Sequence, residues 1–403
     1  MRGSPGPWRG AEMGEPGIIV DGSLLIRDGI IEEVGPTRRV ENLASARGAV
    51  EINAVGRVVM PGFIDSHTHL VFPLAGAGTD DEAMAARAVC ASTGQRIQWR
   101  TQVHLAAMAR HGTTTVEAKT GCGPDERAET KLLRVLASLK DNPLHVVSTF
   151  LCRLPHRDLN GYGGPEEAAE YVIERLLPKI RRRRFARFAD LAWEAGNERV
   201  DIYRRYLRAA HSFGFASKVH ADQVNTATAI ATAVEQLAVS VDHLEHAMPR
   251  EAELLAGSGT MATLLPLTSL HNGGWNAPAR ALIDAGVPVA LASDFNPHHS
   301  PTLSMQTVVA LACMNLGMTP EEAIAAATIN GAHALGRADR VGSLELGKRA
   351  DLLILNSCDF RELAHQFGMN LVHMTIRDGE CIYKEGDVAP RPAEDIRPGE
   401  SWD

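Results

Sequence analysis

Two histidines, spaced as His67-Thr68-His69, stand just after an apolar run that begins at Val58. Alternation along a strand puts both imidazoles on one face, within reach of a single metal ion. The pair alone says little, since a lone histidine is usually a satisfied core or surface residue. Further ligand-type residues recur where later apolar runs end: His220 after Ala216-Ser217-Lys218-Val219, His243 after Val239-Ser240-Val241-Asp242, and Asp294 after Val289-Ala290-Leu291-Ala292-Ser293. Three of these imidazoles with the one carboxylate suit a divalent transition ion, Zn²⁺ or Fe²⁺, better than Mg²⁺ or Ca²⁺, which prefer oxygen ligands. One such ion is expected. Lys119 ends another run, where carbamylation would let it bridge a second metal; a neutral structural or substrate contact is the simpler reading, and a binuclear site is not expected.

What must position these groups is a set of strands whose ends face one cavity. Eight strand candidates alternate with helical stretches such as Glu166 to Ile180 and Arg204 to Ser212. The strands run Val58 to Asp65, Thr113 to Lys119, His145 to Cys152, Phe188 to Glu194, Ala216 to Asp222, Ser240 to Glu245, Met261 to Pro266 and Pro288 to Asp294. Eight βα units make a TIM barrel, whose active site lies at the carboxyl ends of its strands. The segments Ile18 to Val58 and Ala350 to Tyr383 read instead as short strands and turns. The expected fold is therefore α/β, a (β/α)8 TIM barrel with a small β-sandwich domain built from both chain ends. Its divisions are 1–58 and 343–403 for the two parts of the small domain and 59–342 for the barrel.

The 403 residues, 45% hydrophobic and 22% charged, can bury a large core and exceed what one small domain needs. A formal charge of -8 repels phosphate backbones and anionic membranes, so neither nucleic acid nor membrane is an expected partner. Apolar runs such as Val287 to Ala292 fall far short of the roughly 18 residues of a membrane span. No signal-peptide pattern is read between Met1 and Pro16. Six scattered cysteines without a CxxC pair fit a reducing cytoplasm, the expected location. The run Arg181 to Arg184 closes a helical stretch and is expected to face solvent.

The string Pro61-Gly62-Phe63-Ile64-Asp65-Ser66-His67-Thr68-His69 resembles the first-strand signature of the amidohydrolase superfamily. The strings from Gly112 to Gly121, Lys218 to Gln223, Val241 to Glu245, Ala292 to Pro297 and Gly342 to Leu353 are similar to those of the imidazolonepropionase family of histidine degradation. The similarity runs from about Gly17 to about Gly386. It implies that His67, His69, His220 and Asp294 hold one metal, that a bound water is the nucleophile, and that Asp294 shuttles its proton to the departing nitrogen. It also implies that His243 hydrogen-bonds the nucleophile or the developing oxyanion. The implied reaction is hydrolysis of a cyclic amide C–N bond, 4-imidazolone-5-propanoate to N-formimino-L-glutamate. Opening of another lactam or hydantoin-like ring, deamination of a heterocycle, and a non-catalytic metal-binding role remain alternatives. A homodimer, common in the family, stays open, because no apolar stripe in the sequence establishes it.

Several substrate contacts depart from the family pattern. The arginine that follows the HxH strand in the family is missing from the segment Phe72 to Asp81, and its tyrosine after Thr120-Gly121 is Cys122. A family histidine is replaced within Cys152 to Arg157, where Arg153, His156 and Arg157 are the candidate substitutes. Gln223 stands in place of a glutamate and keeps hydrogen bonds without serving as a base. Asn296 fits the family, whereas His298 replaces a glycine. The family's strand before Gly17 is not found, so the small domain is expected to lack an edge strand.

Overall fold

The computed structural model describes residues 6–73, 81–123, 125–139, 142–154, 164–193, 200–221, 226–271, 273, 275–297 and 300–386. The N-terminal turn-rich text forms a hairpin, β1 (Gly22–Arg27) against β2 (Ile30–Pro36), followed by the short strand β3 (Val59–Pro61). Eight parallel strands then follow in order: β4 (Phe63–Asp65), β5 (Thr113–Lys119), β6 (His145–Cys152), β7 (Phe188–Trp193), β8 (Ala216–Ala221), β9 (Ser240–Asp242), β10 (Met261–Leu264) and β11 (Val289–Leu291). Every residue of β5 is buried, as expected for a strand covered on both faces. Two of the helices between them start on side-chain caps, where Thr93 accepts from the Arg96 amide at 3.2 Å and Asp125 from the Ala128 amide at 2.8 Å. The chain ends with β12 (Leu352–Leu355), β13 (Val372–Arg377) and β14 (Glu380–Lys384), which join β3 in an antiparallel sheet. The hairpin packs on that sheet through Leu24, Ile26, Ile31, Ile354 and Ile376, so the two chain ends share one small core.

The run from Val58 to Asp65, expected as one strand, is two. Residues on the β3 side pair with β12, while Phe63 donates from its amide to Gly112 O at 3.0 Å and enters the barrel. Gly62 permits the crossing, because a Cβ there would stand 2.4 Å from the buried Thr114 side chain. Gly62→Ala is therefore expected to cost about 1–3 kcal/mol, the usual penalty for overpacking a filled core. A lowered urea midpoint at unchanged slope would register it, and an unchanged midpoint would show that Thr114 yields.

Closure of the barrel involves the chemical residues themselves. Near their starts, β4 and β11 do not pair; the Ile64 amide donates to Ala327 O at 2.9 Å instead. Beyond the strands' carboxyl ends the seam closes: the Asp294 amide donates to His67 O at 3.0 Å and the His69 amide to Phe295 O at 2.8 Å. Three candidate ligands are thus held by the backbone bonds that shut the cylinder.

Among the described residues, no strand precedes Gly22. A short turn of helix, Gly10–Gly14, covers the opposite end of the barrel. Trp8 and Asn330 exchange two hydrogen bonds, and the Arg9 guanidinium donates to the carbonyls of Ala256, Ser258 and Gly286. Arg181 to Arg184 are exposed, and their helix stops at Arg184 with φ 53°. Among the described residues, no helix is long and apolar enough to cross a membrane.

Candidate active site

Strand β9 was expected to run on to Glu245 but stops at Asp242, because His243 and Leu244 take left-handed φ of 80° and 71°. Asp294, beyond β11, has φ 50°. Such backbone is uncommon for residues other than glycine and clusters at functional sites, where surrounding packing imposes it.

The five groups singled out from the sequence meet above the carboxyl ends of the strands. His67 Nε2 lies 3.4 Å from His69 Nε2 and 3.4 Å from Asp294 Oδ1, which is 3.3 Å from His69 Nε2. His243 Nε2 stands 3.2 Å from His220 Nε2, and the His67 and His220 rings are 5.0 Å apart. Donors bonded to one ion at about 2.1 Å in a tetrahedron sit about 3.4 Å from one another, so the separations among His67, His69 and Asp294 fit a single metal ion, while His220 falls in a neighbouring group with His67 and His243. Asp294 Oδ1 is buried and makes no hydrogen bond, while Thr268 Oγ1 donates to Oδ2 at 2.7 Å. A carboxylate oxygen left bare among imidazole nitrogens is suited to a cation.

Protonation states agree with metal holding. Burial, with the Lys119 charge adding to it, pushes His67 down to about 4 despite Asp242. Burial, reinforced by neighbouring His243, His67 and His69, puts His220 well below the ordinary range. Both imidazoles are then neutral, the form that binds metal. The Asp294 carboxyl is opposed by burial but held below the usual carboxylate range by His69, His67 and His243. His243 differs: burial disfavours its charged form, yet Glu245 outweighs this and carries it up to about 9.

Beneath the imidazoles lies a layer of charge that local sequence pattern does not reveal. His67 Nδ1 donates to Asp242 Oδ2 at 2.7 Å, which leaves Nε2 with its lone pair toward the site. Lys119 Nζ donates to the same oxygen at 3.0 Å and to Asp190, with Glu117 Oε2 3.5 Å away. Lys218 Nζ reaches Glu117 Oε2 at 2.8 Å and Ser66 O at 3.1 Å. All of these side chains are fully buried. Burial opposes the Lys119 charge, but Asp190, Asp242 and Glu117 hold it well above the ordinary range. Lys119 is a charged member of this layer and not a neutral contact.

The substrate-side candidates are spread more widely. Cys122 is buried in the turn after β5, and burial together with Glu129 pushes its thiol well above the ordinary range. Glu129 accepts from the amides of Gly121 and Gly123 and, through burial, is itself raised to about 7. Arg153 directly follows β6 and acts electrostatically on both Cys122 and Glu129. Asn296 exchanges backbone hydrogen bonds of 3.1 Å with Ser300, folding the turn after Asp294. Gln223, His156 and His298 lie outside the described residues. Arg100 was not singled out from the sequence: its guanidinium donates to Val71 O at 3.1 Å, two residues beyond His69, and acts on Cys122, with no carboxylate partner among the described residues. Asp242, Glu245, Thr268 and Lys218 were also missed. The only signal for them was polar residues interrupting apolar strands.

The amidohydrolase family profile matches residues 58–382. An imidazolonepropionase of Parabacteroides distasonis is 39% identical over 394 residues, covering 92% of this chain and 94% of the relative. That of Geobacillus kaustophilus is 39% identical over 402 residues, covering 94% and 93%. Among solved structures, a 5-methylcytosine deaminase of Klebsiella pneumoniae liganded with phosphonocytosine superposes with a TM-score of 0.73 at 20% identity, covering 92% of this chain and 97% of that one. An adenosine deaminase of Xanthomonas campestris with bound zinc gives 0.69 at 19% identity, with 92% and 90% covered. At those identities the likeness is one of fold. With relatives matched almost end to end and a site that gathers candidate metal-holding histidines and an aspartate at the mouth of an eight-stranded barrel, the chain belongs to the amidohydrolase family, among the imidazolonepropionases.

Proposed function

We propose that the protein hydrolyses the ring amide of 4-imidazolone-5-propanoate to give N-formimino-L-glutamate, the step in histidine degradation that its relatives' name denotes. The observation that carries the chemistry is Asp294 Oδ1, buried and without a hydrogen bond, beside His67 and His69 and close to neutral His220. A Zn²⁺ or Fe²⁺ ion held by His67, His69, His220 and Asp294 would polarise the amide carbonyl and acidify water. Asp294 accepts the proton of the attacking water and returns it to the departing ring nitrogen as the C–N bond breaks. His243 presents Nε2 to the oxygen that gains charge, and Gln223 is assigned to orienting the ring. Asn296 and Cys122 are assigned to substrate contact in this reading, and so, from the sequence alone, are His298 and His156.

The propionate carboxylate needs a cation that the segment after His69 lacks in its own sequence. Arg153, and with it Arg100, supplies the charge in this reading, since both guanidiniums act on Cys122 at that end of the barrel. A small anionic cyclic amide is thus the partner. The six cysteines, all unpaired, accord with work in the cytoplasm, and a homodimer is the assembly proposed.

The direct test is the ultraviolet decay of 4-imidazolone-5-propanoate with zinc-loaded protein. Decay is expected to stop after chelation and to return when Zn²⁺ or Fe²⁺ is added. Arg153→Ala should raise KM about 10- to 100-fold, the worth of one charge-assisted hydrogen bond, with kcat less affected. No decay by metal-loaded protein would reject this substrate and turn attention to uncharged lactams and aminated heterocycles.

A further inference from the structure

We infer that Glu245 is the positioning residue for His243, and that Ser269 anchors it. Glu245 Oε1 lies 3.3 Å from His243 Nδ1 and accepts from Ser269 Oγ at 3.2 Å. Glu245 Oε2 is buried and makes no hydrogen bond, so the carboxylate's contacts are concentrated on the imidazole and one hydroxyl. The left-handed backbone at His243 and Leu244 holds the two side chains this close. Each such non-glycine conformation is costly and persists only where its surroundings enforce it. A carboxylate that accepts from Nδ1–H fixes the orientation of the ring and keeps Nε2 directed toward His220.

A second observation points the same way. Thr268, next to Ser269 on the short helix Pro266–His271 after β10, donates to Asp294 Oδ2 at 2.7 Å. One helical turn therefore braces Asp294 directly and His243 through Glu245. That shared support fixes the spacing between the group that moves the proton and the imidazole facing the carbonyl. Catalysis depends steeply on such spacing.

The inference rests on the hydrolytic reading above only for its kinetic arm. In ¹⁵N spectra of the zinc-loaded protein, with His243 assigned by comparison with His243→Gln, Nδ1 should carry a hydrogen in the wild type and in Glu245→Gln. In Glu245→Ala that hydrogen should lose its carboxylate acceptor, its downfield ¹H resonance moving upfield and exchanging faster with water. With 4-imidazolone-5-propanoate, Glu245→Ala should lower kcat about 100-fold with KM within about threefold, and Glu245→Gln, which keeps an acceptor in place, should recover to within about tenfold of wild type. An unaltered Nδ1 hydrogen resonance in Glu245→Ala would overturn the inference. So would a Glu245→Gln enzyme as slow as Glu245→Ala with its Nδ1 hydrogen in place, since the charge and not the position would then matter. If the wild type does not turn over this substrate, the functional reading falls, and the nitrogen spectra still decide the role of Glu245.

Discussion

Asp294→Asn is expected to reduce kcat on 4-imidazolone-5-propanoate between about 10²- and 10⁴-fold, the range in which a positioned proton-transfer group contributes. The amide keeps the shape of the carboxylate but can neither take the proton of water nor return it to nitrogen. Folding should survive, for two reasons that the geometry supplies. Asparagine adopts left-handed backbone as readily as aspartate, so φ 50° at this position is not a new strain. Thr268 Oγ1, which donates to Oδ2, can still donate to the amide oxygen. The checks are the ultraviolet assay and a urea titration of the metal-free protein, whose midpoint should stay near that of wild type. A variant within threefold of wild-type kcat would remove Asp294 from the proton path and leave it a ligand alone.

How far this site could be read in the sequence follows from how barrels are built. Each inner strand is buried on both faces, so it stands out as a short apolar run, and the first polar residue after the run marks the catalytic end. His67, His69, His220, His243 and Asp294 are legible for that reason. Long-range partners are not, because nothing near Lys119 in the chain announces Asp190 or Asp242, which meet it only when β5, β7 and β9 close into a cylinder. The end of β9 was likewise hidden, since Leu244 is not a residue type that advertises left-handed backbone and histidine does so only weakly. Gly62 carried a readable signal in Pro61-Gly62, but the change of sheet there depends on Thr114, more than fifty residues away. The segment around Trp8 reads as loose text, rich in glycine and proline, yet Trp8 and Met13 are buried. Its docking relies on Asn330 at the far end of the barrel chain.

Lys119→Met should be among the most destabilising single changes in the molecule, at about 3–5 kcal/mol, the usual cost of stripping one partner from a buried ion pair. Lys119 Nζ holds Asp190 and Asp242 and lies 3.5 Å from Glu117, all without exposure to water. Lys218 can still serve Glu117, but Asp190 and Asp242 would face one another without a cation. The variant's urea midpoint should fall, and Lys119→Met/Asp190→Asn should recover part of the loss by removing one of the two carboxylates. A midpoint unchanged in the single variant would mean that the carboxylates take up protons when the ammonium is removed. The consequence reaches the metal, because Asp242 also fixes His67 through Nδ1 at 2.7 Å. With Lys119 gone, Asp242 is free to protonate, and a neutral acid orients the imidazole less firmly. Metal affinity should then drop about 10- to 100-fold, as is usual when the partner of a ligating histidine is weakened. Competition for Zn²⁺ against a chelator, in the double variant that keeps the fold, separates this effect from unfolding. If affinity is restored along with stability, the charge layer acts on the metal only by holding Asp242 ionised.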